Sequence, residues 1–349
     1  MTLQESDLAT SRLRTHVVTA GPVDAPTLVL VHGNVSSSRF FHPLMAALAD
    51  RFRCVAPDLR GFGGSQAAPV DATRGVRDFS DDLHALLTES GVAGPGPWHL
   101  LGWSLGAGVV MQCATDYPEL IASLVLESPM SPYGFGGTRD VAGTPTTEDF
   151  AGSGGGTANP DMVRLIGEGD RTADQPVSPR AVVRGLYVAP GTALDPAEED
   201  AYVEAILQLA LGDDNYPGDG TTSPHWPGVA PGTRGVNNAI SPRYLDLSPF
   251  AAVDPRPPVL WVRGDADLIV SDGSLLDFGT LGRLGAVPGW PGEEEYPSQP
   301  MVSQLRAVLD AYAARGGRYR EVVWPGGGHS PHLERPAEFA GLVADHLTA

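Results

Sequence analysis

Gly102-Trp103-Ser104-Leu105-Gly106 is the stretch that decides the fold, because of what stands on either side of it. Before it, Pro97-Trp98-His99-Leu100-Leu101 is short, apolar and turn-bounded, the pattern of a buried strand. After it, Ala107-Gly108-Val109-Val110-Met111-Gln112-Cys113-Ala114 carries apolar residues at helical spacing. A serine at a strand-to-helix reversal is a nucleophile elbow: the reversal forces strained backbone angles on the serine and lifts its hydroxyl clear of the sheet. The neighbours must be small for helix and strand to approach, which accounts for the two glycines. In a chain with 43 glycines the pattern alone is cheap, and Gly63-Gly64-Ser65-Gln66-Ala67 nearly reproduces it. The strand before, the helix after and the partners downstream give it weight.

Working outward, the elbow sits in a series of alternating elements. Thr27-Leu28-Val29-Leu30-Val31-His32 reads as a strand ending in a turn, and a helix follows with Phe41, Leu44, Met45 and Leu48 on one face. Arg53 to Asp58 is the next strand, closed by the turn Arg60-Gly61-Phe62-Gly63-Gly64, and Val76, Phe79, Leu83 and Leu86 mark a second helix. The elbow strand and its helix come next, then the strand Ala122 to Glu127. Strands alternating with helices at this spacing predict an α/β fold with a doubly wound, mostly parallel sheet.

The alternation stops near Ser131. From 131 to 254 the chain is rich in Gly, Pro, Thr and Asp, with one well-signalled helix: Asp195 as N-cap, Pro196 at the first position, Glu198 completing a capping box and Gly212 as the stop. The segment is too long for a loop and too irregular for a domain with its own core. It reads as a cap inserted over the sheet's carboxyl edge, leaving 1–130 and 255–349 as the core. The sheet resumes at Pro258 to Arg263 and again at Tyr319 to Val323, with a second irregular insertion, Ser271 to Pro300, between them; a helix bearing Phe339, Leu342, Val343 and Leu347 closes the chain.

The bulk numbers narrow the class. The chain of 349 residues is 42% hydrophobic and 19% charged, as expected of a globular protein with one core plus an insertion. No apolar run reaches the ~18 residues of a membrane helix. Met1 to Asp7 has neither a basic region nor an apolar core, so no signal peptide is expected. Cys54, in a predicted strand, and Cys113, in a predicted helix, read as buried reduced thiols, and the cytoplasm is the expected compartment. A net charge of −19 argues against nucleic acid and anionic membrane surfaces as partners. Nothing in the sequence specifies an oligomeric state.

Serine is a poor nucleophile until a base takes its proton, so Ser104 needs a histidine and the histidine a carboxylate to orient it. In open parallel sheets functional groups gather beyond the strands' carboxyl ends, which restricts the candidates. For the base, His329 follows the last strand across Gly326-Gly327-Gly328, with His332 three residues on as the rival. For the acid, the turn after Val262 offers Asp265, Asp267 and Asp272. Asp267 is favoured, Asp265 suits a turn former beside Gly264, and Glu127 at the end of its own strand is next in line. Acyl transfer develops charge on a carbonyl oxygen, for which backbone N–H donors must wait. Leu105, after the nucleophile, supplies one, and the turn His32-Gly33-Asn34-Val35 the other, with Asn34 first and Val35 second. Two such donors are worth about 3 kcal/mol each.

Together these residues resemble the α/β-hydrolase superfamily. Five elements fall in order: His32-Gly33-Asn34, Asp58-Leu59-Arg60-Gly61-Phe62-Gly63, Gly102 to Gly106, Gly264-Asp265-Ala266-Asp267, and Gly328-His329-Ser330-Pro331-His332-Leu333-Glu334. The resemblance covers roughly residues 10–130 and 255–349, and implies a triad of Ser104, Asp267 and His329 with an acyl-enzyme mechanism. Epoxide hydrolases and haloalkane dehalogenases carry aspartate where this chain has Ser104, and the dehalogenase turn has proline where it has Val35. The elbow pattern of proline iminopeptidases is also absent. The expectation is therefore a serine hydrolase cleaving carboxylic esters of small, largely apolar substrates, with water as co-substrate and without cofactor or metal. Lactonase, thioesterase, perhydrolase and carbon–carbon bond hydrolase activities stand beside it, as does a non-catalytic binding protein on the same fold.

Specificity is expected from the cap. Val35, Trp103, Tyr133, Phe135 and Trp226 are candidate substrate-binding residues, with Tyr187, Trp290 and Tyr296 as further aromatics for an apolar cleft. For any one of the cap aromatics, packing between cap and core is the simpler role. Arg164, Arg171, Arg180 and Arg184 could meet an acidic substrate group, with surface ion pairing the alternative in so acidic a chain.

Overall fold

The computed structural model describes residues 2–349. Five of its strands are apolar nearly throughout because both faces of a parallel sheet are covered. These are β3 (Thr27–Val31), β4 (Arg53–Pro57), β5 (Trp98–Trp103), β6 (Ile121–Glu127) and β7 (Val259–Gly264), and β3 is buried at every residue. With β1 (Gln4–Ala9), β2 (Arg14–Ala20) and β8 (Tyr319–Trp324) they form one eight-stranded sheet in the order β1-β2-β4-β3-β5-β6-β7-β8. Every neighbouring pair from β4 to β8 is parallel, whereas β1–β2 and β2–β4 are antiparallel. The fold is α/β, with a mostly parallel, doubly wound sheet.

Chain order reverses between β3 and β5, which are adjacent in the sheet. In open α/β sheets such a reversal marks where ligands bind at the carboxyl edge, and the two turns that follow these strands carry Asn34 and Ser104. Helices α1 (His42–Leu48), α2 (Arg77–Glu89) and α3 (Leu105–Asp116) connect the first half of the sheet. After β7, α6 (Met301–Ala314) buries Met301, Leu305, Val308, Leu309 and Tyr312, and α7 (Pro336–Leu347) closes the chain. The intervening labels, α4 (Pro160–Glu168) and α5 (Pro196–Leu207), belong to the segment between β6 and β7, which adds no strand to the main sheet.

Several elements differ from the sequence reading. The hairpin of β1 and β2 was not expected, and the reason is physical. β1 lies on the sheet edge with five of its six residues exposed, so it has no apolar alternation, and only its ladder to β2 (Gln4 opposite Thr19 to Ala9 opposite Arg14) makes it a strand. Helix α4 was also missed, although its signals are ordinary. Asn159 accepts from the N–H groups of Asp161 and Met162, Pro160 fills the first position, and Gly169 ends the helix at φ 73°. Helix α5 starts as expected at Asp195 but stops at Leu207, before Gly212, which lies in a two-residue strand against Tyr216–Pro217. Glu198 does not close the capping box; its carboxylate accepts from the Arg39 guanidinium of the core at 3.2 Å. A tertiary partner has outcompeted a local one.

Cys54 and Cys113 are free and buried, and burial pushes both thiols up to about 12. No helix among the described residues is long and apolar enough to cross a membrane.

Candidate active site

Ser104 joins β5 to α3 with φ 57° and ψ −116°, a strained conformation for a residue with a side chain. The two glycines make it geometrically possible. A Cβ on Gly102 would lie 2.5 Å from Ala107 N, and one on Gly106 would lie 2.1 Å from the Val31 carbonyl oxygen. The helix thus seats directly on the ends of β3 and β5. The Ser104 N–H donates to the Glu127 carbonyl at 2.9 Å, tying the elbow to β6. Leu105 opens α3, where the first N–H groups have no intrahelical acceptor, so its N–H points out of the helix start.

Beyond β7 and β8 the candidate acids and bases separate. Asp267, 4% exposed, places Oδ2 at 2.8 Å from His329 Nδ1, and its Oδ1 accepts from the N–H groups of Ile269 at 2.8 Å and Val270 at 2.9 Å. With an ionised carboxylate as acceptor, Nδ1 carries the proton and Nε2 keeps its lone pair. The other aspartates are used elsewhere. Asp265 accepts from Gly326 N–H at 2.6 Å as a turn former, and Asp272 receives the Val302 and Ser303 N–H groups at the start of α6.

The rival base and the rival acid pair with each other. Glu127 Oε1 lies 2.7 Å from His332 Nδ1 and also accepts the His332 backbone N–H at 2.8 Å. Both side chains are buried, and neither Glu127 Oε2 nor His332 Nε2 has a hydrogen-bond partner. The ring of Trp103 packs against both histidines, with centroids 5.7 Å from His329 and 5.1 Å from His332, and its Nε1–H donates to the His329 carbonyl at 3.0 Å. The residue before Ser104 therefore holds the backbone of the histidine turn. Glu334 adds a tie the residue reading did not single out. Its Oε1 accepts the Gly328 N–H at 2.8 Å and, from the inserted segment, the Ala189 N–H at 2.9 Å; partial burial raises this carboxyl above the ordinary range.

The turn after β3 adjoins the elbow: a Cβ on Gly33 would lie 3.1 Å from Ser104 Cβ. Several of its peptide groups are engaged within the protein. The Gly33 carbonyl accepts from Ser36 Oγ at 2.8 Å and lies 2.8 Å from His32 Nδ1. Because a trans peptide sets C=O and N–H on opposite sides, the Asn34 N–H is aimed the other way. The Val35 N–H, the second candidate donor, is taken by Asn34 Oδ1 at 3.0 Å. Val35 itself sits at φ 51°, a left-handed conformation that a β-branched residue rarely adopts.

The aromatic candidates divide. Val35 and Trp103 are buried at the site, and Trp103 forms a wall with Phe40 (centroids 5.5 Å apart) and Tyr187 (5.4 Å). Tyr187 also faces His329 at 6.4 Å, which places it nearer the chemistry than the cap aromatics favoured from sequence. Tyr133 is half-buried against Gly143, where a Cβ would lie 2.3 Å from its ring, and Phe135 donates its N–H to Ile240 and packs on the main core. Trp226 packs against Phe278 at 6.0 Å and Tyr296 at 4.7 Å and donates Nε1–H to the Pro288 carbonyl, so it joins the two insertions to each other. Arg164, Arg171, Arg180 and Arg184 all pair with carboxylates of the inserted segment, among them Glu168, Glu204 and Glu199.

Residues 26–151, from the start of β3 through the elbow and β6, match the family profile described as the alpha/beta hydrolase fold. The crystal structure of a membrane phospholipase A, described as a bacterial virulence factor, superposes on 99% of this chain and 86% of its own with a TM-score of 0.62 at 21% identity, a likeness of fold. The chain has the α/β-hydrolase fold. Among curated relatives, carboxylesterase YbfK of Bacillus subtilis (strain 168) is 31% identical over 120 residues, 34% of this chain. The match spans 39% of that relative's length. A 2-(acetamidomethylene)succinate hydrolase of Mesorhizobium japonicum is 26% identical over 277 residues, 78% of this chain and 83% of its own.

Proposed function

We propose that the chain is a serine hydrolase that cleaves carboxylic esters of small, largely apolar substrates through an acyl-enzyme. The observation that carries this reading is the buried Asp267–His329 pair, 2.8 Å apart, together with a serine held at φ 57° on the elbow directly after Trp103, whose ring packs 5.7 Å from His329. In the proposed reaction His329 Nε2 takes the Ser104 proton as Oγ attacks the ester carbonyl, while Asp267 holds Nδ1–H and stabilises the imidazolium. The tetrahedral oxyanion accepts the N–H groups of Leu105, at the start of α3, and Asn34, neither of which has an acceptor among the described residues. His329 then protonates the departing alcohol, the C–O bond breaks, and the same ring activates water to release the acid and restore Ser104. The reaction needs neither metal nor cofactor.

The substrate class rests on the walls and on charge. Phe40, Trp103 and Tyr187 pack into one apolar wall against His329, with Val35 on the adjoining turn, and a net charge of −19 disfavours anionic substrates. In this reading residues 131–254 act as a cap, supported by Tyr187 at the histidine and by Tyr202, which stacks on Phe40 at 4.5 Å. A second reading keeps the three residues and changes the acyl group to that of a dicarboxylate derivative. The relative matching 78% of the chain favours it, and the engagement of Arg164, Arg171, Arg180 and Arg184 with carboxylates weighs against it.

Hydrolysis of p-nitrophenyl esters from acetate to decanoate, with Ser104→Ala as control and a fluorophosphonate as active-serine label, tests the proposal. Turnover and labelling that both vanish in Ser104→Ala are expected. A wild-type protein that neither turns over esters nor takes the label at Ser104 would overturn it.

A further inference from the structure

Val35 poses a question of cause. A β-branched residue at φ 51° persists only where its surroundings over-determine the backbone. The bonds that do so come largely from the inserted segment. The carbonyls on either side of the strained residue, those of Asn34 and Val35, converge on one hydroxyl: Tyr187 Oη donates to Val35 O at 2.9 Å, with Asn34 O as second acceptor at 3.1 Å. Tyr187 is 5% exposed and ends a single π turn, Val183–Tyr187, a rare geometry that often marks functional positions. Burial raises its phenol well above the usual range, so it remains a donor at any working pH. A second, sequence-distant part of the insertion reaches the same turn. Asn237, on the short helix Val236–Ala239, accepts from Asn34 Nδ2 at 3.0 Å. That bond orients the Asn34 carboxamide so that its Oδ1 faces, and occupies, the Val35 N–H.

Each bond acts on the same feature. Tyr187 fixes the two peptide planes around Val35, and Asn237 keeps the Val35 N–H engaged. Ser36 holds the Gly33 carbonyl from within the turn. The Asn34 N–H, on the opposite side of its peptide from the engaged Gly33 carbonyl, has no acceptor among the described residues, and the turn adjoins the elbow through Gly33. We infer that Tyr187 and Asn237 are positioning residues of the insertion that hold the β3 turn in its oxyanion-binding conformation, so that the turn is competent only while the insertion is docked on it. This inference rests on the serine-hydrolase reading and adds to it: the insertion takes part in stabilising the transition state as well as in selecting substrate.

The test compares Tyr187→Phe and Asn237→Ala with wild type and with Tyr244→Phe. Tyr244 makes the same kind of bond inside the insertion, its hydroxyl donating to the Gly232 carbonyl at 2.9 Å, without touching the turn. Four quantities are measured: kcat and KM on a p-nitrophenyl ester, the inhibition constant of a trifluoromethyl ketone of matched chain length, and Tm. The ketone reads the oxyanion site because Ser104 Oγ adds to its carbonyl and the bound hemiketal carries the oxyanion. Tyr187→Phe and Asn237→Ala are expected to lower kcat about ten- to a hundredfold and to weaken the ketone by the same factor, short of losing a donor outright. KM should stay within about twofold and Tm should match Tyr244→Phe, since ground-state binding is untouched. Unchanged kcat and ketone affinity in both variants would overturn the inference, as would a rise in KM alone, which would make Tyr187 merely a wall of the cleft. Should Tyr187→Phe fail to fold, Asn237→Ala carries the same readouts. Fluorophosphonate labelling of wild type separates the two levels: an unlabelled Ser104 overturns the hydrolase reading and this inference with it, whereas a labelled enzyme with indifferent variants overturns the inference alone.

Discussion

Replacing Asp267 by asparagine should disable the enzyme while leaving the fold intact, and the structure says which way the new amide must face. Asp267 Oδ1 accepts two backbone N–H groups, from Ile269 and Val270, and Oδ2 meets His329 Nδ1. An amide NH₂ turned toward two N–H donors would leave three donors facing one another in a buried site, at a cost of about 1–3 kcal/mol for each unpaired group. The asparagine therefore keeps its oxygen on Ile269 and Val270 and presents NH₂ to His329. Nδ1 must then accept, which moves the ring proton to Nε2 and leaves no lone pair to take the Ser104 proton. In the best-measured triad such a tautomer exchange costs about 10⁴ in kcat, or about 5.5 kcal/mol of activation free energy. Stability should fall by no more than about 1 kcal/mol, because shape and both backbone acceptor bonds are kept. Steady-state hydrolysis of p-nitrophenyl acetate beside a thermal melt would read both. A variant retaining more than about a tenth of wild-type kcat would refute the assignment of Asp267 as the orienting acid.

Glu127→Gln is the companion experiment: its oxygen can still accept from both nitrogens of His332, so its loss in kcat should stay well below that of Asp267→Asn; an equal loss would make Glu127 the acid that matters. Gly106→Ala should lower Tm and kcat together. Its Cβ would lie 2.1 Å from the Val31 oxygen and 2.5 Å from the His32 oxygen, so α3 must back away with the Leu105 N–H. A cost of about 1–3 kcal/mol is expected, and a wild-type melt would contradict the packing argument. Asp277 is buried, with Oδ1 unpartnered, and burial holds its carboxyl up at about 6 against an ordinary 3.8. A carboxyl raised in the folded state binds more protons there than when unfolded, so its contribution to stability falls as pH rises through that window, by about 3 kcal/mol in total. Asp277→Asn should remove this fall, gaining Tm on wild type at pH 7.5 relative to pH 4.5. An identical pH profile would show that the buried carboxyl is not its source.

Much of the architecture is legible along the chain because it depends on local chemistry. The strands β3 to β7 read as apolar runs because both faces of a parallel sheet are buried, and Gly102 and Gly106 announce a turn with no room for side chains. Asn159-Pro160 and Gly169 announced α4 as plainly and went unread amid the glycine-rich surroundings. β1 carried no such announcement, since an exposed edge strand is defined by its partner's hydrogen bonds and not by its own side chains.

By itself the sequence determined the α/β sheet, the elbow and the short set of side chains able to do chemistry at its carboxyl edge. Only the tertiary structure decided the pairings among them. His329 and His332 stand three residues apart with similar surroundings, Asp267 lies just past the end of one strand and Glu127 at the end of another. That His329 meets Asp267 while His332 meets Glu127 follows from where β6, β7 and β8 lie across the sheet. The same holds for Tyr187 and Asn237, which reach the β3 turn across separations of 152 and 203 residues. Hydrophobic periodicity and turn preference act over a few residues and leave a record in the chain, whereas a buried hydrogen bond between distant segments is chosen by the packing of the whole and leaves none.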